Sequence, residues 1–510
     1  MHNDDVLQLL ADKEWRMSHL YYIVNAHGEK VLFKRNHEQA QLADARKKHK
    51  KHIILKARQI GFTTDIVLDM FDEILTNSNK HARIITHGLK ESEKIMLGKI
   101  HFAYDNLPQE IKDFLPVIKR NTEEFVIGHT NGKSPSSISV GTSGRSGTFQ
   151  MLHISEFGKI CAKYPEKARE IITGALPAAE NGQIFIESTA EGQAGRFYEI
   201  TMQALSNQRQ LKPLNPKDYQ FHFYDWHSHN GYSQAEPESI SNEQSLYFEK
   251  LRTEHGINLT EQQKYWYIAT EKQLQNDMKR EYPSYPEEAF EQAVEGAVYG
   301  KQFAELDKTQ RILDIAHHAT SPVFTAWDIG RSDDTAIWFY QIKHGGWIDF
   351  IDYYEMNKAD PNHYAALVLS KPYRYGKHYL PHDAESEKAD TIKDYRSQLI
   401  AAGLKDTCMI PRTSSVTSDI AFVRTHFAQV RFNKNNPMVM QGLKHLRNYQ
   451  YKWNDKHGVW SDEPAKNGAQ HAADAFRYAI VSLPKDLQML TSFAPVAYVK
   501  NPNYNPRRRV

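Results

Sequence analysis

Cysteine is almost absent: Cys161 and Cys408 are the only two in 510 residues. Far apart and without metal-ligand spacing, they exclude a disulfide scaffold and a cysteine-based zinc site, and they predict free thiols in a reducing compartment. No apolar run is long enough to span a bilayer, and the polar start MHNDDVLQLLADKEW is unlike a secretory signal. A cytosolic protein without a membrane partner is expected. Net charge is nearly absent as well, since 64 basic against 62 acidic residues leave +2. Nucleic-acid binding would therefore have to come from local patches. Neither low-complexity bias nor an internal repeat occurs.

The composition that remains, 40% hydrophobic and 25% charged, is that of a folded globular chain. Its length predicts two or three domains. Two basic runs stand out, Arg46-Lys47-Lys48-His49-Lys50-Lys51 and Arg507-Arg508-Arg509. Each reads either as a nucleic-acid contact or as a solvated helix face and a tail.

Strand-like apolar runs alternate with helical spacing through the first 200 or so residues. HIIL at 52–55 reads as a buried parallel strand, and Ile66, Val67, Met70, Phe71, Ile74 and Leu75 recur as one helical face. ARIIT, EFVIG, SISVGT, MLHIS and QIFIEST supply further strands, with a hairpin turning near Asn131-Gly132. This predicts an α/β domain on a largely parallel sheet. From about Arg196 to Pro286 the texture is polar and predicts mostly helices. A second α/β pattern opens with VFTAWDIG, TAIWFYQI and WIDFIDYYE as consecutive hairpins, then a helix at 362–369, the strand KHYLPHD and a helix from about Gln470 to Leu483.

Between the first strand and helix lies KARQIGFTT, Lys56 to Thr64. A standard phosphate loop, G-x-x-x-x-G-K-[ST], wraps phosphates in backbone amides, reaches them with its lysine and holds Mg²⁺ with its hydroxyl. Here Phe62 occupies the lysine position and Lys56 the first glycine position. A lysine at the loop's start can fold its stem back over the phosphates, Arg58 adds a fork of donors, and Thr63 keeps the metal-binding hydroxyl. Gln59, Gly61 and Thr64 complete the candidate loop. MLHISEFG delivers Glu156 at a strand end, where a carboxylate polarises attacking water, although Ser155 precedes it where an aspartate is usual. IFIESTAEG places Ser188 and Thr189 at a third strand end, where hydroxyls can sense a γ-phosphate. In isolation each of these residues also reads as an ordinary turn or surface residue.

Downstream, Asp328 in FTAWDIG, Asp383 in HYLPHDAE and Asp474 in QHAADAFRYA stand at two strand ends and a helix start. Carboxylates converging from separate elements repel unless cations lie between them, and oxygen ligands favour Mg²⁺ or Mn²⁺. His471 lies on the same helical face as Asp474 and reads either as a ligand or as a packed histidine.

KARQIGFTT, HISEF and IESTAEG together resemble the large subunits of viral terminases, the motors that package DNA into phage capsids. WDIGRSDDTAIW, PHDAESE and HAADAFRYA resemble the acidic motifs of that family's RNase H-like nuclease, with Asp334 and Glu385 as further contributors. The resemblance implies a P-loop ATPase core over 1–210, a helical lid over 211–300, a nuclease over 301–490 and a basic tail over 491–510. It implies that Gln39, in LFKRNHEQAQL, contacts adenine and that Arg145, in GTSGRSGTF, is an arginine supplied across a subunit boundary. The implied cofactors are ATP with Mg²⁺ and two divalent ions in the nuclease. The implied partners are double-stranded DNA, a small terminase subunit, the portal of a procapsid and further copies of the chain in a ring, a pentamer by family resemblance. The implied location is the host cytoplasm, docked transiently on the procapsid. Rival readings are a recombinase or transposase with the same acidic triad, a repair helicase-nuclease, and a non-catalytic DNA binder.

Overall fold

The computed structural model describes residues 8–129, 133–144, 147–192, 195–290, 296–330, 334–343, 345–357, 359–385, 395–410, 415–454, 457, 459–466 and 468–483. The chain divides into two compact units, Met1–Gln292 and Ala293–Val510.

The first unit is built on an eight-stranded sheet. Its strands are β1 (Lys51–Lys56), β2 (His81–Ile85), β3 (Val117–Arg120), β4 (Glu124–Ile127), β5 (Ser136–Gly141), β6 (Met151–Ser155), β7 (Gln183–Ser188) and β8 (Gln220–Tyr224). The spatial order is β8-β1-β7-β6-β2-β5-β4-β3. The first six neighbours run parallel, and the β3–β4–β5 meander is antiparallel at one edge. Parallel strands covered on both faces carry near-continuous apolar side chains, which is why HIIL, MLHIS and QIFIES are legible. One core lies on the face bearing Ile54, Phe185 and Met151, and the other on the face bearing Leu55, Ile186 and Ile154. One expectation fails here: QFHFY, inside the stretch predicted as mostly helical, is the edge strand β8 beside β1. The helices Gly195–Arg209, Asn242–His255 and Glu261–Leu274 lie in the same stretch, the latter two each opened by a capping box.

Four helices of this unit bear on the site: α1 (Lys13–His19), α2 (His37–Ala45), α3 (Phe62–Thr76) and α4 (Phe157–Lys163). The apolar face of α3 packs on the sheet as its spacing predicts. Its other face is also buried, and there Asp65, Asp69 and Asp72 recur at helical spacing. Arg16 grips Asp72 through two hydrogen bonds of 2.9 and 2.8 Å, and the Tyr21 hydroxyl donates to the same carboxylate at 2.6 Å. Arg35 donates to Asp65 at 2.6 Å, while Lys13 and Arg46 pair with Asp69 at 2.9 and 3.1 Å. Residues 13–46 are thus clamped to α3 by charge. This corrects the reading of the run from Arg46 to Lys51 as one exposed basic patch: Arg46 and Lys51 are buried, and only Lys47, Lys48 and Lys50 face solvent fully. The arginines at 507–509 lie outside the described residues.

The second unit carries a seven-stranded sheet of β9 (Ile312–Leu313), β10 (Val323–Asp328), β11 (Asp334–Ile342), β12 (Ile348–Asn357), β13 (Tyr375–Leu380), β14 (Thr407–Met409) and β15 (Val430–Asn433). The order is β9-β15-β12-β11-β10-β13-β14. The meander β10–β11–β12 is antiparallel, as the consecutive hairpins predict, and β13 joins β10 in parallel. Helices α5 (Val416–His426), α6 (Pro437–Asn448) and α7 (Gln470–Val481) belong to the core with Trp338, Phe350 and Phe476. Gly442 of α6 is required by close approach, because a Cβ there would lie 2.5 Å from the Trp338 ring. Among the described residues no helix is long and apolar enough to cross a membrane.

Removing one partner from a buried ion pair strands the other charge, at a cost of about 3–5 kcal/mol. Asp72→Ala, which leaves Arg16 with the Leu10 and Ala11 carbonyls but no counter-charge at its other nitrogens and leaves the Tyr21 hydroxyl without its acceptor, should lower the denaturant midpoint accordingly. A variant with an unchanged midpoint would refute the clamp.

Candidate functional site

Lys56 is the last residue of β1, buried, and its ammonium group lies 3.5 Å from Glu156 and 3.7 Å from Glu187. Burial alone would lower its pKa, but the two carboxylates outweigh it and hold the lysine charged. Phe62 is buried, its ring 4.3 Å from that of Tyr224. The charge of the loop therefore sits at its start, and the usual lysine position has become core.

The loop between Lys56 and α3 needs special backbone geometry. Gln59 and Gly61 have φ of 63° and 86°, a region that favours glycine. At Gly61 a Cβ would also meet the Gln39 amide nitrogen at 2.9 Å. Gln39 is buried at the start of α2, accepts from the Asn36 N–H and donates to the Gly61 carbonyl at 2.9 Å. In this structure Gln39 props the loop. Arg58 is half exposed, with Glu281 3.3 Å from its guanidinium, and its carbonyl accepts from the Tyr232 hydroxyl. The Thr64 hydroxyl accepts from Lys99 at 2.6 Å.

Glu156 follows β6 in the left-handed region, with φ of 56°, and begins α4. Non-glycine residues held there are uncommon and are strained. The turn brings its carboxylate to Lys56. Ser188, at the end of β7, is buried and accepts from the Gly158 N–H at 3.0 Å, so the third strand end is bonded to the helix that Glu156 opens. Thr189 is buried beside it. Arg145 lies outside the described residues.

Sequence reasoning passed over Glu187, which lies between β1 and β6 with its Cα in register with Ile54 and Ser155. It is fully buried. Its carboxylate accepts hydrogen bonds from Thr63 at 2.5 Å and Ser155 at 3.1 Å, and His153 Nε2 is 3.0 Å away. Burial would raise its pKa, but Lys56 and then His153 and Thr63 bring it down to about 2. A glutamate inside an otherwise apolar parallel strand was the available signal.

In the second unit Asp328 ends β10, and Nδ1 of His471, from the first turn of α7, is 2.8 Å from its carboxylate. Asp474, one turn along, accepts from Arg477 at 2.8 Å, and Arg477 also donates to Asp419 of α5 at 2.8 Å. Burial raises the Asp328 pKa to about 6; His471 opposes the rise and the Asp474 charge adds to it. Asp383 and Glu385 lie in the turn His382–Glu385 just past β13, the parallel neighbour of β10, and their side chains lie outside the described residues. Asp334 is the first residue of β11, paired with Asn357. The structure thus bonds His471 to Asp328 and sets Asp474 one turn further along the same helix. Among the described residues, no three His, Cys, Asp or Glu side chains are gathered as a metal cluster. The buried Asp328 carboxylate with its raised pKa, the Asp474 carboxylate one helical turn from His471 and the adjacent imidazole are donors of the kind that suit a divalent cation. Arg477, Asp419 and the group of Glu355 with His445 at 3.0 Å were not foreseen.

No protein-family model matches the chain, and no curated protein matches it. Among solved structures it is similar to the large terminase of bacteriophage HK97 at 11% identity, covering 93% of this chain and 99% of that one with a TM-score of 0.44. The large terminase of a thermophilic bacteriophage aligns at 11% identity over 88% of this chain and 99% of its own, with a TM-score of 0.33. The P22 large terminase nuclease domain aligns at 16% identity over 34% of this chain and 87% of its own, with a TM-score of 0.27.

The raised pKa of Asp328 carries a sign. The folded state holds that proton more tightly than an unfolded carboxylate at 3.8 would, so the stability it contributes is complete below pH 3.8 and is lost as pH rises through about 6. In the metal-free protein, Asp328→Asn should raise the melting temperature at pH 7.5 and give no gain at pH near 4. A lower melting temperature at pH 7.5 would contradict this.

Proposed function

We propose that the chain is an ATP-driven DNA-packaging motor and nuclease of the large-terminase type. The observation that carries the reading is the meeting of Lys56, Thr63 and Glu156 around one loop, with Phe62 withdrawn into the core. A helix N-terminus of this kind binds phosphates through its free N–H groups and its dipole. Lys56 and Arg58 would neutralise the triphosphate, and Thr63 with Mg²⁺ would orient it. Glu156 would polarise the attacking water, and an incoming phosphate would draw Lys56 away from it. The bond from Gly158 to Ser188 supplies a route by which loss of the γ-phosphate moves the end of β7. Arg145, acting on a neighbour's site, would make the active form a ring.

In the second unit Asp328, Asp383 and Asp474 would hold divalent ions, which supply activated water and a stabilised leaving oxygen for phosphodiester cleavage. His471 would fix the orientation of Asp328, and Arg477 that of Asp474. Cutting concatemeric DNA at the start and end of filling is the role that joins the two activities. Double-stranded DNA, a small terminase subunit, a portal and the host cytoplasm as location complete the proposal.

Calorimetry with ATPγS and Mg²⁺ tests the motor site. Removing the charge-assisted interaction of Lys56 in Lys56→Met should weaken binding by about 10- to 100-fold, while Phe62→Leu should stay within about 3-fold of wild type. Absence of binding by folded wild type would sink the motor reading. For the nuclease, Mn²⁺-dependent nicking of plasmid DNA should disappear in Asp474→Asn, and survival of the cleavage would leave the acidic site without a role. DNA affinity should fall steeply and log-linearly with salt, as counterion release requires.

A further inference from the structure

The position before Glu156, which in P-loop ATPases carries an aspartate that helps hold Mg²⁺, is Ser155 here. The missing carboxylate has a counterpart one strand away. Ser155 and Glu187 stand side by side on β6 and β7, and the serine hydroxyl donates to Glu187 Oε1 at 3.1 Å. That oxygen also receives the hydroxyl of Thr63, the metal-binding residue of the loop, at 2.5 Å. The second oxygen, Oε2, is buried and accepts no hydrogen bond among the described residues, with the Lys56 ammonium group 3.7 Å away. An ionised oxygen so placed loses hydration without recovering it, which is costly unless a cation completes the site.

We infer that Glu187 takes over, from the neighbouring strand, the task of the aspartate absent before Glu156, and positions the Mg²⁺ that accompanies a bound nucleoside triphosphate. The inference rests on the nucleotide-site reading above. Its chemistry is that of an oxygen-only site: a threonine hydroxyl in contact with a carboxylate, the donor pair through which P-loop enzymes retain the ion. Glu187 acts here as a positioning residue, whereas Glu156 faces the water. The two carboxylates leave Lys56 by different amounts when a nucleotide binds: Glu156 is freed for catalysis, and Glu187 exchanges part of its pairing with Lys56 for the metal.

A purely structural ion pair predicts something else, namely a loss of stability with no change in how metal and nucleotide cooperate. The full-length protein distinguishes the two by ATPγS affinity measured with and without Mg²⁺, alongside thermal melts and Mn²⁺ electron paramagnetic resonance. Wild type should gain at least about 10-fold in ATPγS affinity from Mg²⁺, and Glu187→Gln should lose most of that gain while its Mg²⁺-free affinity, with Lys56 released from one carboxylate, falls by no more than about 3-fold. The relocated pair Ser155→Asp with Glu187→Ser should recover the gain, and this arm decides the matter if Glu187→Gln does not fold. A full Mg²⁺ gain in folded Glu187→Gln, or no recovery in the folded relocated pair, overturns the inference and leaves the nucleotide site standing. No ATPγS binding by wild type, with or without Mg²⁺, overturns both.

Discussion

The first unit depends on a charge placed where a parallel sheet least tolerates one. Glu187 lies on β7 between the strand that feeds the loop and the strand that delivers Glu156, buried on all sides. Its desolvation is offset by Lys56, by the hydroxyls of Thr63 and Ser155 and by His153. Those partners come from β1, α3 and β6, so satisfying one carboxylate ties together the strand before the loop, the helix after it and the strand that leads to Glu156. An apolar residue at 187 would pack at least as well, because buried ion pairs are seldom better than a hydrophobic substitute. What the carboxylate adds is registration: the loop hydroxyl, the lysine and the strand carrying Glu156 all point at one place before any ligand arrives.

The charged underside of α3 serves the same end from outside. A helix whose N-terminus must stay aimed at a ligand cannot rock on its apolar face. The pairing of Asp65, Asp69 and Asp72 with Arg35, Arg46, Lys13 and Arg16 gives that helix a second fixed surface. The end of the loop next to α3 is then held twice, by the clamped helix and by the Gln39 bond to the Gly61 carbonyl. The start of α4, next to Glu156, is joined to the end of β7 by the Gly158 bond to Ser188.

These two features also explain where sequence reading succeeds and where it stops. Apolar runs identify β1, β6 and β7 because parallel strands covered on both faces admit little else, and the loop between β1 and α3 follows from its own motif. The hairpins of the second unit are legible through their turns, and His471 through its spacing from Asp474. Glu187 was overlooked because a strand assignment absorbs a lone charge, and burial cannot be read from a single residue. Asp65, Asp69 and Asp72 form what looks like an ordinary solvated face, since their partners come from residues 13–46, upstream in the chain and outside the helix. Arg46 was misjudged for the same reason: a basic run shows its charge and not its counterions. QFHFY was lost among polar neighbours because an edge strand needs only half its residues buried.

The two units treat negative charge in opposite ways. In the first, a lysine built into the chain is shared between Glu187 and Glu156, so any anion approaching it competes for a cation already engaged. In the second, Asp328 has its pKa pushed up to about 6, while Arg477 is shared between Asp474 and Asp419. No lysine or arginine bonds Asp328 among the described residues, and the nearest answering group is His471. A site that carries its own cation is assembled in advance and selects for a ligand with more negative charge than the carboxylates it displaces. A site that leaves a buried carboxylate under-neutralised favours an external cation over an anion.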